Sequence, residues 1–219
     1  MFSLWSEPED IFEFTTEDDR VINGQLDMHF ANILHLFEVL ESDETPYFKL
    51  TVGLGLLTGN SFYELSEQDQ TNLFSQLMEQ HVMDSKPMID PDAANGKPAE
   101  ELYNLTEDAD YIFASFWQDY QINLRTIKFL HWQEFRALLS GLTESTKFKQ
   151  VVAIRARKPE KGMSAKERQE LKNAQLAYAL HTTKEDVEFA SLDFDDREQY
   201  LIDHPEYAKR LEPDEGEVS

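Results

Sequence analysis

The aromatic residues between Ala109 and Tyr120 recur at helical spacing, and this pattern constrains the fold more than any other feature of the chain. At about 100° per residue, the apolar side chains fall within one arc of roughly 140°. They are Ala109, Ile112, Phe113, Phe116, Trp117 and Tyr120. Acidic residues flank the arc and would repel nucleic-acid phosphates. The pattern therefore predicts a helix whose rings fill a protein core, with a partner-binding groove as the alternative.

The first third of the chain shows the same helical spacing. One predicted helix carries Leu26, Phe30, Ile33, Phe37 and Leu40. Thr45 with Pro46 predicts the start of a second helix. That helix contains Gly53 and Gly55, each of which weakens a helix by about 1 kcal/mol relative to alanine, so we expect close packing around them. The alternating sequence IFEF at residues 11–14 predicts a short strand.

Helix-boundary signals divide the second half of the chain. Thr106 is the predicted cap of the aromatic helix, and the following helix spans about residues 125–140 and ends at Gly141. Because only the short sequence QIN separates the two, they should form an antiparallel pair. A basic helix follows, and Ser164 with Glu167 forms a capping box that starts another.

The net charge of −23 is unevenly distributed along the chain. Residues 1–110 carry 4 basic and 24 acidic side chains. Residues 111–180 carry 12 basic and 6 acidic side chains, and residues 181–219 carry 4 basic and 13 acidic ones. A basic module between acidic segments indicates either a charged partner or shielding by the acidic segments. The candidate contact residues of this module are Lys147, Lys149, Arg155 and Arg157. Binding of nucleic-acid phosphates is disfavoured because DNA would repel the chain as a whole.

The sequence offers no arrangement of catalytic residues. It has no cysteine, which excludes disulfides and thiolate sites and suits a reducing cytosol. It also lacks a phosphate-binding glycine loop, a G-x-S-x-G elbow and an H-E-x-x-H motif. Asp90, Asp92 and Glu101 occupy three positions of a calcium loop, but two prolines interrupt it. His131 lies on an apolar arc and is predicted to be a core histidine with one hydrogen bond. We therefore predict a non-enzymatic protein without a cofactor or a metal.

These patterns predict a mainly α fold, a helical bundle of antiparallel amphipathic helices in two modules, with a short N-terminal strand and an acidic C-terminal tail. Residues 1–85 form the acidic helical module, residues 86–105 the linker, and residues 106–180 the aromatic and basic module. Residues 181–219 are predicted to be a partly disordered tail with a short helix near Gln199. The longest apolar run, LTVGLGLL, is far shorter than the roughly 20 residues of a membrane span, so no membrane partner is predicted.

Three short motifs mark the second module. They are a D-A-D-Y-I opening, an L-H-W motif with a following phenylalanine, and a T-K-F element with a later arginine. The residues that carry them are Asp108 to Ile112, Leu130, His131, Trp132, Phe135, Thr146, Lys147, Phe148 and Arg155. With these motifs, the chain from about Thr106 to Leu180 resembles the bacteriophage gene-product-fifteen family. The helices between about Leu26 and Val82 are compatible with that resemblance.

The resemblance implies a role in phage tail assembly. Proteins of this family are encoded in the tail region of long-tailed phages of Gram-positive hosts, near the tape-measure protein, and are suspected to be tail assembly chaperones. It therefore implies an all-α protein in the host bacterial cytoplasm that binds the tape-measure protein. A second tail chaperone, or another copy of the same chain, is a further partner that the resemblance leaves open.

Two rings that are predicted to be exposed are the candidate contacts with the tape-measure protein. Tyr111 and Phe129 both lie off the predicted core arcs, although the alternative is that both pack on the first module. A structural component of the virion, such as a head–tail connection protein, is the alternative function. A nucleic-acid-binding phage regulator that uses the basic module is the third and least favoured function.

Overall fold

The computed structural model of the chain describes residues 9–83, 102–181, 184–192 and 194–207. These residues confirm the mainly α fold, with one short two-stranded sheet near the N-terminus. In chain order the elements are β1 (Ile11–Thr15), β2 (Val21–Gln25), α1 (Phe30–Glu41), α2 (Pro46–Thr58), α3 (Glu67–Leu77), a π-helical turn (Met78–Val82), α4 (Ala109–Tyr120), α5 (Trp132–Ser140), α6 (Lys147–Ala156), α7 (Ala165–Ala177), α8 (Lys184–Ser191) and α9 (Phe194–Asp203). None of the helices in these ranges is long and apolar enough to cross a membrane.

The chain divides into two compact units, residues 1–149 and residues 150–219. The first unit contains both α1 and the aromatic helix α4, and the unit boundary falls within α6. Most of the predicted linker, residues 86–105, lies outside the described residues, so that boundary stays a prediction. The sequence that imitates a calcium loop lies outside them as well.

The predicted N-terminal strand is confirmed as β1, and it pairs antiparallel with a second strand, β2, that was not predicted. The side chains of Phe12 and Phe14 point to the core from alternate positions of β1. Gly24 lies opposite Phe12 in the ladder. A Cβ atom at Gly24 would lie 2.9 Å from Cε1 of Phe12, so the missing side chain leaves room for the ring.

The helix predicted from Leu26 begins only at Phe30, because the residues before it are extended. The backbone N–H of Phe30 donates to the carbonyl of Leu130 (3.0 Å), and the N–H of Trp132 donates to the carbonyl of Met28 (2.8 Å). These two bonds form an isolated antiparallel bridge. The bridge holds the start of α1 beside the start of α5 within the first unit.

Four nearly parallel rings form the centre of the first unit. The ring of Phe135 stacks on those of Phe30, Phe116 and Trp132, with centroid separations of 5.1, 5.3 and 5.6 Å. Phe116 and Phe135 are fully buried, and the indole N–H of Trp132 donates to the carbonyl of Val82 at 2.9 Å. The prediction that the aromatic helix fills a core is therefore confirmed for Phe116. It is wrong for Trp117, which is 49% exposed, and for Ala109, which is exposed at the start of α4.

Close packing explains a glycine in the middle of α2. A Cβ atom at Gly53 would lie 2.6 Å from Cε2 of Phe74 and 3.1 Å from Cδ1 of Leu36. The helix begins at Pro46, and the Thr45 hydroxyl accepts from the N–H of Phe48, as the sequence predicts. Gly53 therefore lets α2 approach both α1 and α3.

Two predicted helix starts in the first unit are wrong. Thr106 is not a cap, because the side-chain oxygen of Asn104 accepts from the N–H groups of Thr106 and Glu107 and makes a turn before α4. The helix predicted from residue 125 begins only at Trp132. Residues 121–131 form a loop that is longer than QIN and that places Phe129 outside any helix.

His131 fixes the start of α5. Its Nδ1 accepts from the N–H of Gln133 (3.1 Å), and Glu134 accepts from the N–H of His131 (3.1 Å), which makes a capping box. The imidazole is buried, and its Nε2 lies 3.0 Å from Oδ1 of Asp10. The core location of His131 is confirmed, but the side chain makes two contacts rather than one.

The second unit begins within α6 and contains the predicted capping box of α7. The Ser164 hydroxyl accepts from the N–H of Glu167, and Glu167 accepts from the N–H of Ser164. Of the helix residues 165–177, only Leu171 is buried. The predicted short helix near Gln199 is confirmed as α9, whereas α8 was not predicted. The remainder of the predicted acidic tail, residues 208–219, lies outside the described residues.

Candidate partner-binding site

The sequence-predicted contact Tyr111 is half-buried in the structure, not exposed as expected. The Nζ of Lys147 lies 5.7 Å from the centroid of the Tyr111 ring. A lysine over the face of a tyrosine is attracted by the ring electrons. The two predicted contact residues are therefore brought together, and they contact each other within the first unit.

Two of the other predicted cations also contact the protein's own backbone. Lys149 donates to the carbonyl of Ser140 (3.1 Å) at the C-terminal end of α5, where a cation suits the helix dipole. In the second unit, Arg155 donates through Nε to the carbonyl of Tyr178. Arg157 is exposed. A partner-binding role for these residues stays a prediction.

Phe129 is exposed, as predicted, although it lies in a loop rather than on a helix. Its side chain is 57% exposed, and its ring centroid lies 5.4 Å from that of His29. The ring lies at one side of a groove of about 470 Å³, which we call the Phe129 groove. That volume is within the range of roughly 300–1,000 Å³ that is typical of ligand-binding clefts.

The Phe129 groove combines apolar surface with negative charge. Its apolar lining is formed by Leu26, Met28, Leu56 and Phe129, and its acidic lining by Asp10 and Asp27. Thr58 and Gly59, at the C-terminal end of α2, also line it. The C-terminal end of a helix carries partial negative charge. Among the described residues that line the groove there is no lysine or arginine.

Backbone contacts fix the acidic side of the groove. The N–H of Asp27 donates to the carbonyl of Leu57 (2.7 Å), which attaches the Asp27 segment to the end of α2. Oδ1 of Asp27 accepts from the N–H of His29 (3.1 Å), and Oδ1 of Asp10 contacts the imidazole of His131 (3.0 Å). The positions of both carboxylates are therefore set by the fold.

This arrangement suits recognition of a partner side chain. Exposed aromatic and aliphatic surface next to carboxylates can hold an apolar group and a cation together. The described part of the chain has no group of three or more histidine, aspartate or glutamate residues placed to hold a metal ion. The geometry thus offers contact surface, with Phe129 as the most exposed of its large apolar residues.

Phe129 was predicted as a contact from the sequence, but the other residues of the groove were not. Leu26 lies on a helical stripe in the sequence and was assigned to the core of α1, and Met28 carried no distinct signal. Both are largely buried and show only part of their surface to the groove. No sequence signal places residues 26–28 beside the end of α2, because that contact depends on the hydrogen bond between Asp27 and Leu57.

The family of the chain is shown by a match over residues 18–180 to the family model described as Bacteriophage Gp15 protein. The chain belongs to this family. The match includes the aromatic core and the lining of the Phe129 groove except Asp10, and it confirms the resemblance seen in the second half of the sequence. Membership indicates a phage structural or tail-region protein. Neither the curated proteins nor the solved structures contain a match to the chain.

Proposed function

We propose that the protein is a tail assembly chaperone that binds the phage tape-measure protein and keeps it soluble until the tail tube forms. The observation that carries the proposal is the 57% exposed Phe129 ring beside a partly apolar groove. A tape-measure protein is expected to be long, helical and rich in apolar surface, which aggregates when it is exposed. The groove offers such a surface a place to bind.

The net charge of the chain supports the same role. A charge of −23 keeps molecules apart and therefore keeps a complex dispersed. Groove binding of an amphipathic helix is a common mode of recognition, in which an apolar helix face contacts an apolar cleft. Affinity for apolar side chains and solubility then come from different parts of one molecule.

The test is co-expression with the tape-measure protein of the same phage, followed by a pull-down from the soluble fraction. The tape-measure protein should be soluble only when this chain is present and should co-purify with it. Phe129→Ala should reduce the co-purified amount severalfold. Tyr63→Ala is the matched control, because Tyr63 is 70% exposed and does not line the groove, and it should have no effect.

Two outcomes contradict the proposal. In the first, the tape-measure protein remains insoluble whether or not this chain is present. In the second, the chain is found in stoichiometric amount in purified virions, which is the behaviour of a structural component and not of a chaperone.

A further inference from the structure

We infer that the Phe129 groove binds a segment in which an apolar side chain lies next to a lysine or an arginine. The inference rests on the proposed function, because it names the chemistry of the partner segment at the same site. It commits to one class of occupant, a cationic amphipathic segment of a partner protein.

The apolar half of the occupant follows from the lining of the groove. Phe129 is 57% exposed and Leu56 is half-buried, so these two provide most of the apolar surface, and the largely buried Leu26 and Met28 form the base of the lining. Covering such a ring removes apolar area from water, and rings at interface centres contribute strongly to binding. An apolar side chain of the partner therefore packs against Phe129.

The cationic half follows from three sources of negative charge at the groove. Asp10 and Asp27 contribute carboxylates, and the C-terminal end of α2 at Gly59 contributes the negative end of a helix dipole. Asp27 is exposed, whereas Asp10 is partly buried, and a partly buried charge attracts an opposite charge more strongly than one in bulk water does. A lysine or arginine of the partner is the complement of this arrangement.

No lysine or arginine of the described residues lines the groove. Residues 9–83 contain 15 acidic residues but only two basic ones, Arg20 and Lys49. Arg20 pairs with Asp18 (2.8 Å), and Lys49 donates to the carbonyl of Leu40 (2.8 Å). Lys128 precedes Phe129 in the loop and is exposed, but it does not line the groove, and Asp10 contacts His131. The lysine or arginine that complements the lining of the groove is therefore assigned to the partner.

The same charge distribution argues against other occupants. An acidic peptide or a nucleic acid would meet repulsion from Asp10, Asp27 and the acidic surface around them. A second copy of the chain also has a net charge of −23, so the two copies repel each other as a whole. The cationic amphipathic segment alone gains from both the apolar and the acidic lining.

The test uses two short helical peptides that have leucine at the same positions. All of the remaining positions are lysine in one peptide and glutamate in the other. Binding to the full chain is measured by fluorescence anisotropy. We expect the leucine–lysine peptide to bind and the leucine–glutamate peptide not to bind. Phe129→Ala should lower the affinity for the leucine–lysine peptide at least tenfold, whereas Tyr63→Ala should leave that affinity unchanged.

The charge at the groove is tested with a conservative variant. Asp27→Asn keeps the side-chain oxygen that accepts from the N–H of His29 but removes the negative charge. It should therefore lower the affinity for the leucine–lysine peptide severalfold and reduce the salt dependence of binding. Asp43→Asn is the matched control, because Asp43 is exposed and does not line the groove. The control variant should bind like the parent protein.

Several results would overturn the inference. One is equal affinity for both peptides. Another is that the leucine–lysine peptide binds Phe129→Ala and Asp27→Asn as tightly as the parent protein, which would show that a cationic peptide is attracted to any acidic protein surface. Displacement of the peptide by a single-stranded oligonucleotide would assign the groove to nucleic acid. A change in the sedimentation coefficient of the protein alone on Phe129→Ala would assign it to self-association.

The two proposals fail separately. If the tape-measure protein co-purifies equally well with Asp27→Asn, Phe129→Ala and the parent chain, the chaperone function stands and the inference about the groove is wrong. If the peptides are discriminated as expected but the tape-measure protein stays insoluble, the chemistry of the groove stands. The tape-measure protein is then not its partner.

Discussion

Gly53 and Gly55 lie two residues apart in α2 but have different neighbours. A Cβ atom at Gly53 would lie 2.6 Å from the Phe74 ring, whereas one at Gly55 would meet Oγ of Ser61 at 3.3 Å. Overpacking costs about 1–3 kcal/mol. The helix propensity gained by replacing glycine with alanine is worth about 1 kcal/mol. The two terms oppose each other at Gly53, and the propensity term dominates at Gly55.

We therefore predict opposite effects for the two alanine variants. Gly53→Ala should lower the free energy of unfolding by about 1–2 kcal/mol, because the packing cost exceeds the propensity gain. Gly55→Ala should leave it unchanged or raise it by up to about 1 kcal/mol. Urea denaturation followed by circular dichroism measures both. Equal effects of the two substitutions would contradict the packing argument.

Single residues differ in how far the sequence predicts their role. The close packing at Gly53 was predictable, because a glycine inside a helical pattern requires a compensating contact. The exposure of Phe129 was predicted for a wrong reason, since the residue lies in a loop and not on a helix face. The apolar lining at Met28 was not predictable, because it depends on the bridge between residues 28–30 and 130–132.

Among the elements, α7 depends strongly on its first turn. Only Leu171 of this helix is buried, so tertiary packing contributes little to its stability. The capping box of Ser164 and Glu167 satisfies two backbone N–H groups at the start of the helix. Hydrogen bonds from Ser164 also hold the pKa of Glu167 below its usual value, which indicates that the box prefers an ionised carboxylate.

Removal of the cap should loosen α7 selectively. Ser164→Ala should destabilise the helix by about 1 kcal/mol, because an N-cap hydroxyl contributes roughly this amount. Ser164→Thr keeps a capping hydroxyl and is the matched control. Amide hydrogen exchange over residues 165–177 should be faster in Ser164→Ala and little changed in Ser164→Thr. Exchange that is equally fast in the parent protein and in Ser164→Ala would show that the cap is not important.

Helix starts were predictable where the cap was a common one. Thr45 and Ser164 are hydroxyl caps, and the structure confirms the helices that follow them. α5 begins after His131, whose imidazole caps the helix although histidine is not a preferred cap residue. The helical spacing upstream of His131 therefore misled the prediction and extended α5 into the loop that carries Phe129.

For the whole molecule, the distribution of charge was predictable and the grouping of helices was not. The acidic surroundings of the Phe129 groove follow directly from the composition of residues 9–83. The membership of α1 and α4 in one unit depends on the stacking of Phe30, Phe116 and Phe135, which are far apart in sequence. Local patterns do not specify such long-range contacts.

Salt should change the stability and the partner affinity of the whole molecule in opposite directions. With a net charge of −23, the folded state suffers self-repulsion, which salt screens. Between about 0.01 M and 0.15 M salt, the Debye length falls from about 30 Å to about 8 Å. We therefore expect the Tm to rise over this range, and each gain of about 1 kcal/mol raises it by about 2–4 °C.

Over the same range, the affinity for the leucine–lysine peptide should fall, because screening weakens its attraction to the acidic groove. Thermal unfolding and anisotropy titrations in identical buffers measure the two effects on one protein preparation. A Tm that falls with added salt would contradict the self-repulsion argument, and an affinity that does not fall would contradict the charge-based recognition. The opposite signs matter because a general effect of salt on folding would move stability and binding together, whereas screening of a negatively charged surface separates them.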